Sequence, residues 1–163
     1  MDVVIFIGSA SDLEVVKDGL DLLKKFGVGF ALEVTSAHRS PERTIALIRK
    51  YEAENAEVFI AVAGKAAHLG GVVAAHTVRP VIGVPVESGG LGGLDALLST
   101  VQMPKGIPVA TMGTGKTGAA NAALLAIQIL AIGNEALRAK LVEHKKAMAS
   151  QVEVDSEKVR FAG

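Results

Sequence analysis

The fold is indicated first by ten residues near the N-terminus, VVIFIGSASD at positions 3–12. Residues 3–7 are apolar and mostly β-branched, which is typical of a strand buried on both faces of a parallel sheet. After Asp12, apolar side chains recur every three or four residues until Gly27, which predicts an amphipathic helix with Asp12 as its N-cap. The chain therefore opens with a strand, a short polar loop and a helix.

The same alternation continues along the chain. Ser40 followed by Pro41 predicts the start of a second helix, because serine caps helices and proline is favoured at their first position. The remaining predicted strands are residues 30–34, 58–63, 81–84 and 109–112, and the remaining predicted helices are residues 41–55, 71–76, 94–101, 118–132 and 134–151. This order predicts an α/β fold with a parallel, doubly wound sheet of the flavodoxin or Rossmann type. We expect a single domain of residues 1–163, with a core at about 3–133 and a C-terminal helix and tail at 134–163, the tail taking the last dozen residues.

Composition excludes several classes of function. The chain has no cysteine, so disulfide scaffolds, thiolate zinc sites and cysteine nucleophiles are excluded, and a cytoplasmic location is expected. The 17 basic and 17 acidic residues balance and aromatic residues make up 4%, so the positive field and stacking rings of a nucleic-acid-binding protein are missing. The most apolar stretch, residues 118–132, is shorter than a bilayer span, so no membrane segment is predicted.

One long segment is unusually poor in charge. Residues 80–134 contain only four charged side chains, and the predicted helix at 118–132 is apolar nearly all round. Such a helix is expected to be buried on every side, which a chain of this size hardly provides. We therefore predict a homo-oligomer in which this helix packs against other copies. The alternative is that it forms a central helix of the chain's own core.

Three predicted loops follow strand ends, where parallel sheets bind ligands: residues 8–12, 35–40 and 64–71. The first combines glycine and two hydroxyls at the start of a helix, which suits a phosphate. It is neither a Walker A motif nor G-x-G-x-x-G, so nucleoside triphosphates and dinucleotides are poorly supported. The alternative is that Ser9, Ser11 or Asp12 only caps the helix.

The other two loops carry histidines and cations. His38 and Arg39 combine an acid/base group with a guanidinium that can grip an anion, although a surface pair is the alternative. Lys65 and His68 follow the third strand among glycines that would let the loop close over a ligand. The histidines lack the i, i+4 spacing of a helical metal site, so no metal is predicted. The glycine-rich stretch 83–95 is expected to be functional or an assembly element.

Seven short motifs occur in an order that closely resembles the PurE family of de novo purine biosynthesis. Together they cover the chain from Val3 to about Ala131. They are GSASD at 8–12, SAHRSP at 36–41, AAHL at 66–69, GVPV at 83–86, LDAL at 94–97, QMPKGIPV at 102–109 and GAANAALLA at 118–126.

This resemblance implies a three-layer α/β sandwich that assembles as a homo-octamer, has its active sites where subunits meet, and uses no metal or organic cofactor. In the bacterial branch the reaction is a mutase step. The carboxyl group of N5-carboxyaminoimidazole ribonucleotide moves to ring carbon 4, and a separate ATP-dependent enzyme supplies that substrate. In the other branch a carboxylase uses aminoimidazole ribonucleotide and free carbon dioxide. A flavodoxin-like module that binds phosphate without turnover is a further alternative.

The resemblance also assigns the site. His38 matches the catalytic histidine of the family, as general acid and base. Ser9, Asp12 and Arg39 match its ligand-binding positions. The other predicted substrate-binding residues are Gly8, Ser11, Ser36, Ala63, Gly64, Lys65, His68 and Leu69. Two residues depart from the bacterial pattern, which has glycine at the position of Lys65 and proline at that of Gly70. Lys65 could therefore stabilise a developing carboxylate, as a basic residue would in the carboxylase branch, or extend into solvent.

Overall fold

The computed structural model describes residues 1–160. The chain divides into two compact units, Met1–Ile127 and a second that begins at Gln128. The strands are β1 (Val3–Ile7), β2 (Phe30–Val34), β3 (Val58–Gly64), β4 (Val81–Val86) and β5 (Ala110–Thr111). The helices are α1 (Leu13–Phe26), α2 (Pro41–Ala53), α3 (Leu69–Ala74), α4 (Leu94–Val101), α5 (Gly115–Leu130) and α6 (Glu135–Arg160), with a short 3-10 turn at Ala10–Asp12.

The first unit is built on one five-stranded sheet in the order β2-β1-β3-β4-β5, with every pair parallel. Val3 is in register with Phe30 of β2 on one side and with Val58 of β3 on the other. The predicted α/β fold with a doubly wound parallel sheet is confirmed. The strand order reverses between β1 and β3, and a crevice for ligands is expected at the carboxyl ends of these two strands.

Side chains of β1 alternate between two buried layers. Val4 and Phe6 lie in a cluster with Ile48 of α2 and Val73 of α3, all almost fully buried. Ile5 faces the other side of the sheet, where it meets residues of α1 and of the first part of α5. Since every side chain of β1 is buried, the continuous apolar run at residues 3–7 is explained by helices on both faces.

The fourth and fifth strands differ from their predicted bounds. β4 extends to Val86 rather than to residue 84 and includes Pro85. β5 is only two residues long and pairs with Ile82 and Gly83 alone, so no neighbouring strand on that side requires an N–H from Pro85. Pro85 is thus compatible with the end of β4, which runs two residues beyond its predicted bound.

The two C-terminal helices bear on two predictions. α5 buries one face in the single chain, while Asn121 and Gln128 are exposed, so the alternative of a helix buried all round in the chain's own core is not found, and packing against other copies stays a prediction. α6 is helical to Arg160, so a tail beginning near residue 152 was wrong. Lys158 and Gln151 both bond to the carboxylate of Asp155 one turn away, contacts that support a helix. The last three tail residues, 161–163, lie outside the described part of the chain.

No helix within residues 1–160 has the length and apolar character required to cross a bilayer.

Candidate functional site

A cavity of about 600 Å³ lies at the carboxyl ends of β1, β2 and β3. All twelve residues predicted for the site line it, together with Ala37, Ala66 and Ser88. The predicted members are Gly8, Ser9, Ser11, Asp12, Ser36, His38, Arg39, Ala63, Gly64, Lys65, His68 and Leu69. The chain thus brings together the three predicted loops, which follow β1, β2 and β3, while the chemical roles of their residues remain predictions.

The loop after β1 is held by its own side chains. Ser9 caps the 3-10 turn, and its hydroxyl accepts hydrogen bonds from the N–H of Ser11 at 3.3 Å and from the Ser11 hydroxyl at 2.8 Å. The N–H of Ser9 donates to Oδ2 of Asp12 at 3.1 Å. Asp12 stands at the N-cap position of α1, but its side chain makes no capping bond to that helix. Asp12 was predicted to cap α1. Its carboxylate instead takes part in the cap of the short 3-10 turn that precedes α1.

Asp12 is the acidic side chain in the cavity lining. Burial raises the pKa of its carboxyl above the ordinary value of 3.8, and hydrogen bonds from the Ser9 N–H and the Ser11 hydroxyl oppose that rise. Partial desolvation strengthens its interaction with a hydroxyl donor on a ligand. Asp12 is therefore suited to bind a sugar hydroxyl.

The loop after β2 is fastened to the loop after β1 by Arg39. Its guanidinium donates to the carbonyl oxygen of Gly8 at 2.9 Å, and its backbone N–H donates to the hydroxyl of Ser36 at 3.2 Å. Arg39 lies just before α2, at the helix end where a positive charge is electrostatically disfavoured. An anionic ligand in the cavity would offset the unfavourable interaction between the positive charge of Arg39 and this helix end.

Two histidines from different loops meet in the cavity. Nε2 of His38 lies 2.8 Å from Nδ1 of His68, and the rings are nearly perpendicular, with centroids 4.9 Å apart. One of the two nitrogens must donate and the other accept, so the rings hold complementary tautomers. The pair can hold a proton between these two nitrogens or transfer it from one ring to the other.

The loop after β3 is fixed by contacts with two other elements. A methyl group added at Gly64 would overlap the hydroxyl of Ser88 and lie 2.9 Å from the carbonyl oxygen of Val86, so a side chain is not accommodated there. Further along, the hydroxyl of Ser99 on α4 accepts from the N–H of Ala67 at 2.9 Å. These contacts set the position of the cavity wall.

Sequence reasoning missed Ser88 as a residue of the cavity. It follows β4 in the glycine-rich stretch that was expected to be functional or an assembly element. The strand-end rule that selected the first three loops applies equally to this fourth strand, and that rule could have identified it.

The residues that line the cavity include two with cationic side chains, Arg39 and Lys65, and one with a carboxylate, Asp12. Within the part of the chain that the structure describes, no three His, Asp or Glu side chains are grouped as a metal site would require. The arrangement can bind an anion, accept hydrogen bonds from a sugar and move a proton through the histidine pair.

Comparison with known proteins gives consistent results. A family model described as AIR carboxylase matches residues 2–151. The chain is 50% identical to the N5-carboxyaminoimidazole ribonucleotide mutase of Brucella melitensis over 93% of this chain and 94% of that protein. It is 49% identical to the mutase of Methanocaldococcus jannaschii over 97% of both chains, and 46% identical to that of Escherichia coli K12 over 92% of this chain and 89% of that one.

A solved structure supports the same assignment. The crystal structure of Treponema denticola PurE superposes with a TM-score of 0.86, at 29% sequence identity and with 96% of each chain covered. Because the family model spans nearly the whole sequence and relatives near 50% identity cover it almost from end to end, the chain belongs to the AIR carboxylase family.

Proposed function

We propose that this protein converts N5-carboxyaminoimidazole ribonucleotide to 4-carboxy-5-aminoimidazole ribonucleotide, as an isomerase of purine biosynthesis. The observation that carries the proposal is the cavity in which His38, His68, Arg39 and Asp12 are brought together by three separate loops. The relatives named as mutases favour this reaction over a carboxylase that uses free carbon dioxide.

The reaction needs one proton carrier. Protonated His38 gives its proton to the exocyclic nitrogen as the N–carboxyl bond breaks, which releases carbon dioxide and aminoimidazole ribonucleotide. Ring carbon 4 of this enamine then attacks carbon dioxide and forms the new carbon–carbon bond. His38 removes the proton from carbon 4, so the ring regains aromaticity and the histidine regains its starting charge. The net change is an isomerisation without loss or gain of protons.

His68 lies close enough to His38 to decide which ring nitrogen of His38 carries the hydrogen. Because the two rings are hydrogen-bonded at 2.8 Å, His68 fixes the tautomer of His38 between the two proton transfers. It also forms part of the wall that keeps carbon dioxide beside carbon 4, which raises the effective concentration of carbon dioxide over that in solution. The other wall residues in this proposal are Ala63, Gly64, Lys65 and Leu69.

The remaining cavity residues bind the rest of the nucleotide. Arg39 offers a guanidinium to the phosphate, and Asp12 accepts hydrogen bonds from the ribose. Gly8, Ser9, Ser11 and Ser36 contribute backbone or hydroxyl groups around them.

The protein is further proposed to act in the cytoplasm as a homo-octamer. Support comes from α4, where Leu94, Leu98 and Val101 form an exposed apolar stripe with 57%, 47% and 46% of each residue accessible. A stripe of this kind is typical of an interface. A separate ATP-dependent carboxylating enzyme would supply the labile N-carboxylated substrate.

The reaction is tested by ultraviolet absorbance of 4-carboxy-5-aminoimidazole ribonucleotide. N5-carboxyaminoimidazole ribonucleotide is compared with aminoimidazole ribonucleotide plus carbon dioxide at matched concentrations. A strong preference for the N-carboxylated substrate is expected. Preference for free carbon dioxide would assign the protein to the carboxylase branch, and nucleotide binding without turnover of either substrate would indicate a binding module.

A further inference from the structure

Two residues other than glycine have a left-handed backbone within residues 1–160, Asn55 with φ 64° and Lys65 with φ 58°. This conformation brings the side chain close to the backbone and is disfavoured for every residue except glycine, with asparagine the mildest exception. Each case therefore needs a structural or functional reason.

Asn55 is explained by the end of a helix. It follows the last residues of α2, and the N–H of Ala56 returns to the carbonyl oxygen of Tyr51 at 2.9 Å. Helices commonly end with a left-handed residue at this point, and asparagine is the usual choice after glycine.

Lys65 has no such explanation, because it follows strand β3 rather than a helix. Two residues further on, the N–H of Ala67 donates to the hydroxyl of Ser99 at 2.9 Å, and that hydroxyl donates its single hydrogen to the carbonyl oxygen of Asp95 at 2.7 Å. The chain just after Lys65 is thus fastened to α4, which holds the left-handed turn in place. Strained backbone that is held by its surroundings occurs preferentially at functional sites.

The position of Lys65 suggests what its side chain binds. Lys65 lines the cavity and lies three residues before His68, which touches the proposed proton carrier His38. Arg39, the other cation of the lining, is bonded instead to the loop after β1 through Gly8. The two cationic residues therefore come from different loops of the site, as a ligand with two anionic groups would require.

We propose that the ammonium group of Lys65 binds the carboxylate that is transferred, while Arg39 serves the phosphate. This inference rests on the proposed function, since it assigns the second anionic group of that substrate. Glycine would fit the backbone at position 65 without strain, but it would remove the positive charge beside the reacting carboxyl group.

The test compares two ligands that differ by one carboxylate. Binding of aminoimidazole ribonucleotide and of 4-carboxy-5-aminoimidazole ribonucleotide is measured by calorimetry for the wild-type protein, Lys65→Met and Lys65→Arg. Lys65→Met keeps an unbranched side chain that is shorter by one atom and removes its charge. We expect it to weaken binding of the carboxylated ligand about 10-fold, the usual value for one charged hydrogen bond, and to leave the other ligand within about 2-fold. Lys65→Arg should retain most of the affinity for the carboxylated ligand.

Lys65→Gly and Asn55→Gly form a matched pair that separates charge from backbone strain. Lys65→Gly should raise the melting temperature by about 2 °C because it relieves strain, yet show the binding loss of Lys65→Met. Asn55→Gly places glycine at the other left-handed position, which lies outside the cavity, and should leave the affinities for both ligands unchanged.

Two results would overturn the assignment of Lys65: equal losses for both ligands, which would place the lysine at the phosphate, or no loss for either. The proposed function is judged separately, by turnover of N5-carboxyaminoimidazole ribonucleotide by the wild-type protein. An active wild type with an unaltered Lys65→Met variant would reject only the role of the lysine.

Discussion

At the scale of single residues, the contact between His38 and His68 gives the site a defined proton position. Only one of the facing nitrogens can carry a hydrogen in a bond of 2.8 Å, so the second nitrogen of each ring is left to other partners. This geometry could not be read from the sequence, because it depends on the orientation of two side chains thirty positions apart. The strand-end rule predicted that both loops lie at the same edge, but not that the rings touch.

The role of His38 is tested by His38→Asn. Asparagine keeps a polar side chain but cannot carry the proton, so we expect turnover to fall by about 10²- to 10⁴-fold while aminoimidazole ribonucleotide still binds. Turnover is followed by ultraviolet absorbance and binding by calorimetry. His76→Asn is the matched control, since His76 bonds to the carbonyl oxygen of Val72 and does not line the cavity. Near-normal turnover of His38→Asn would reject the proton-transfer role.

Asp12 predicts a dependence of stability on pH. Because burial raises the pKa of this carboxyl, the folded protein holds its proton more tightly than the unfolded chain. The stabilisation of the folded protein by this protonated carboxyl is fully present below pH 3.8, the pKa of the unfolded chain, and is lost as the pH rises through the folded pKa. Asp12→Asn cannot ionise and keeps an oxygen for the Ser9 N–H, so its melting temperature should exceed that of the wild type at pH 7.

The difference should vanish as the pH falls well below 3.8, where Asp12 is neutral in both the folded and the unfolded state. Thermal unfolding of both proteins, followed by circular dichroism at several pH values, measures this difference in melting temperature. Nucleotide binding by Asp12→Asn should be weaker at pH 7, since a neutral amide replaces the carboxylate. An Asp12→Asn protein that is less stable than the wild type at pH 7 would contradict the pKa argument.

At the scale of elements, local pattern predicted β1 and β2 at their observed bounds, because each has a sharp composition change at both ends. Local pattern gave the wrong end for β4 and α6, because contacts within the folded chain set those ends. Pro85 continues β4 because β5 is short, and α6 continues past residue 151 through side-chain contacts within the helix. The predicted site residues gathered in one cavity because parallel strands bring their following loops to one edge, whereas the left-handed backbone of Lys65 has no signal in the sequence.

The packing of α1 on α5 depends on Gly19. A methyl group added there would lie 2.8 Å from the carbonyl oxygen of Ala119, closer than side-chain carbons come to such an atom. Gly19→Ala should therefore lower the free energy of unfolding by about 1–2 kcal/mol, since overpacking outweighs the better helix propensity of alanine. Urea denaturation measures the change. Asp18→Ala, at an exposed neighbouring position of α1, should be neutral or stabilising. Equal stabilisation by both substitutions would contradict the close approach of the two helices.

At the scale of the whole molecule, several large apolar side chains of the C-terminal helix α6 are left exposed by the single chain. The second unit contains α6, a helix of 26 residues in which Leu137 is the buried residue. Four apolar side chains of α6 recur at spacings of seven and four and so share one face: Leu141, Met148, Val152 and Val159. Val152 and Val159 are 69% and 74% exposed. A long helix with one unburied apolar stripe is expected to pack against another helix.

The predicted oligomer can be tested at this stripe. Met148→Glu combined with Val152→Glu places two charges on the apolar face, and we expect light scattering to show a smaller assembly than that of the wild type, because burying an unpaired carboxylate at an interface is costly. Ser150→Glu adds a charge between them in sequence, on the opposite face of the helix, and should leave the assembly unchanged. If active sites form where subunits meet, the double variant should also lose turnover, while Ser150→Glu keeps it. A double variant that retains the wild-type mass in solution would show that this face of α6 does not hold the subunits together, and the search for the interface would then move to the exposed leucines of α4.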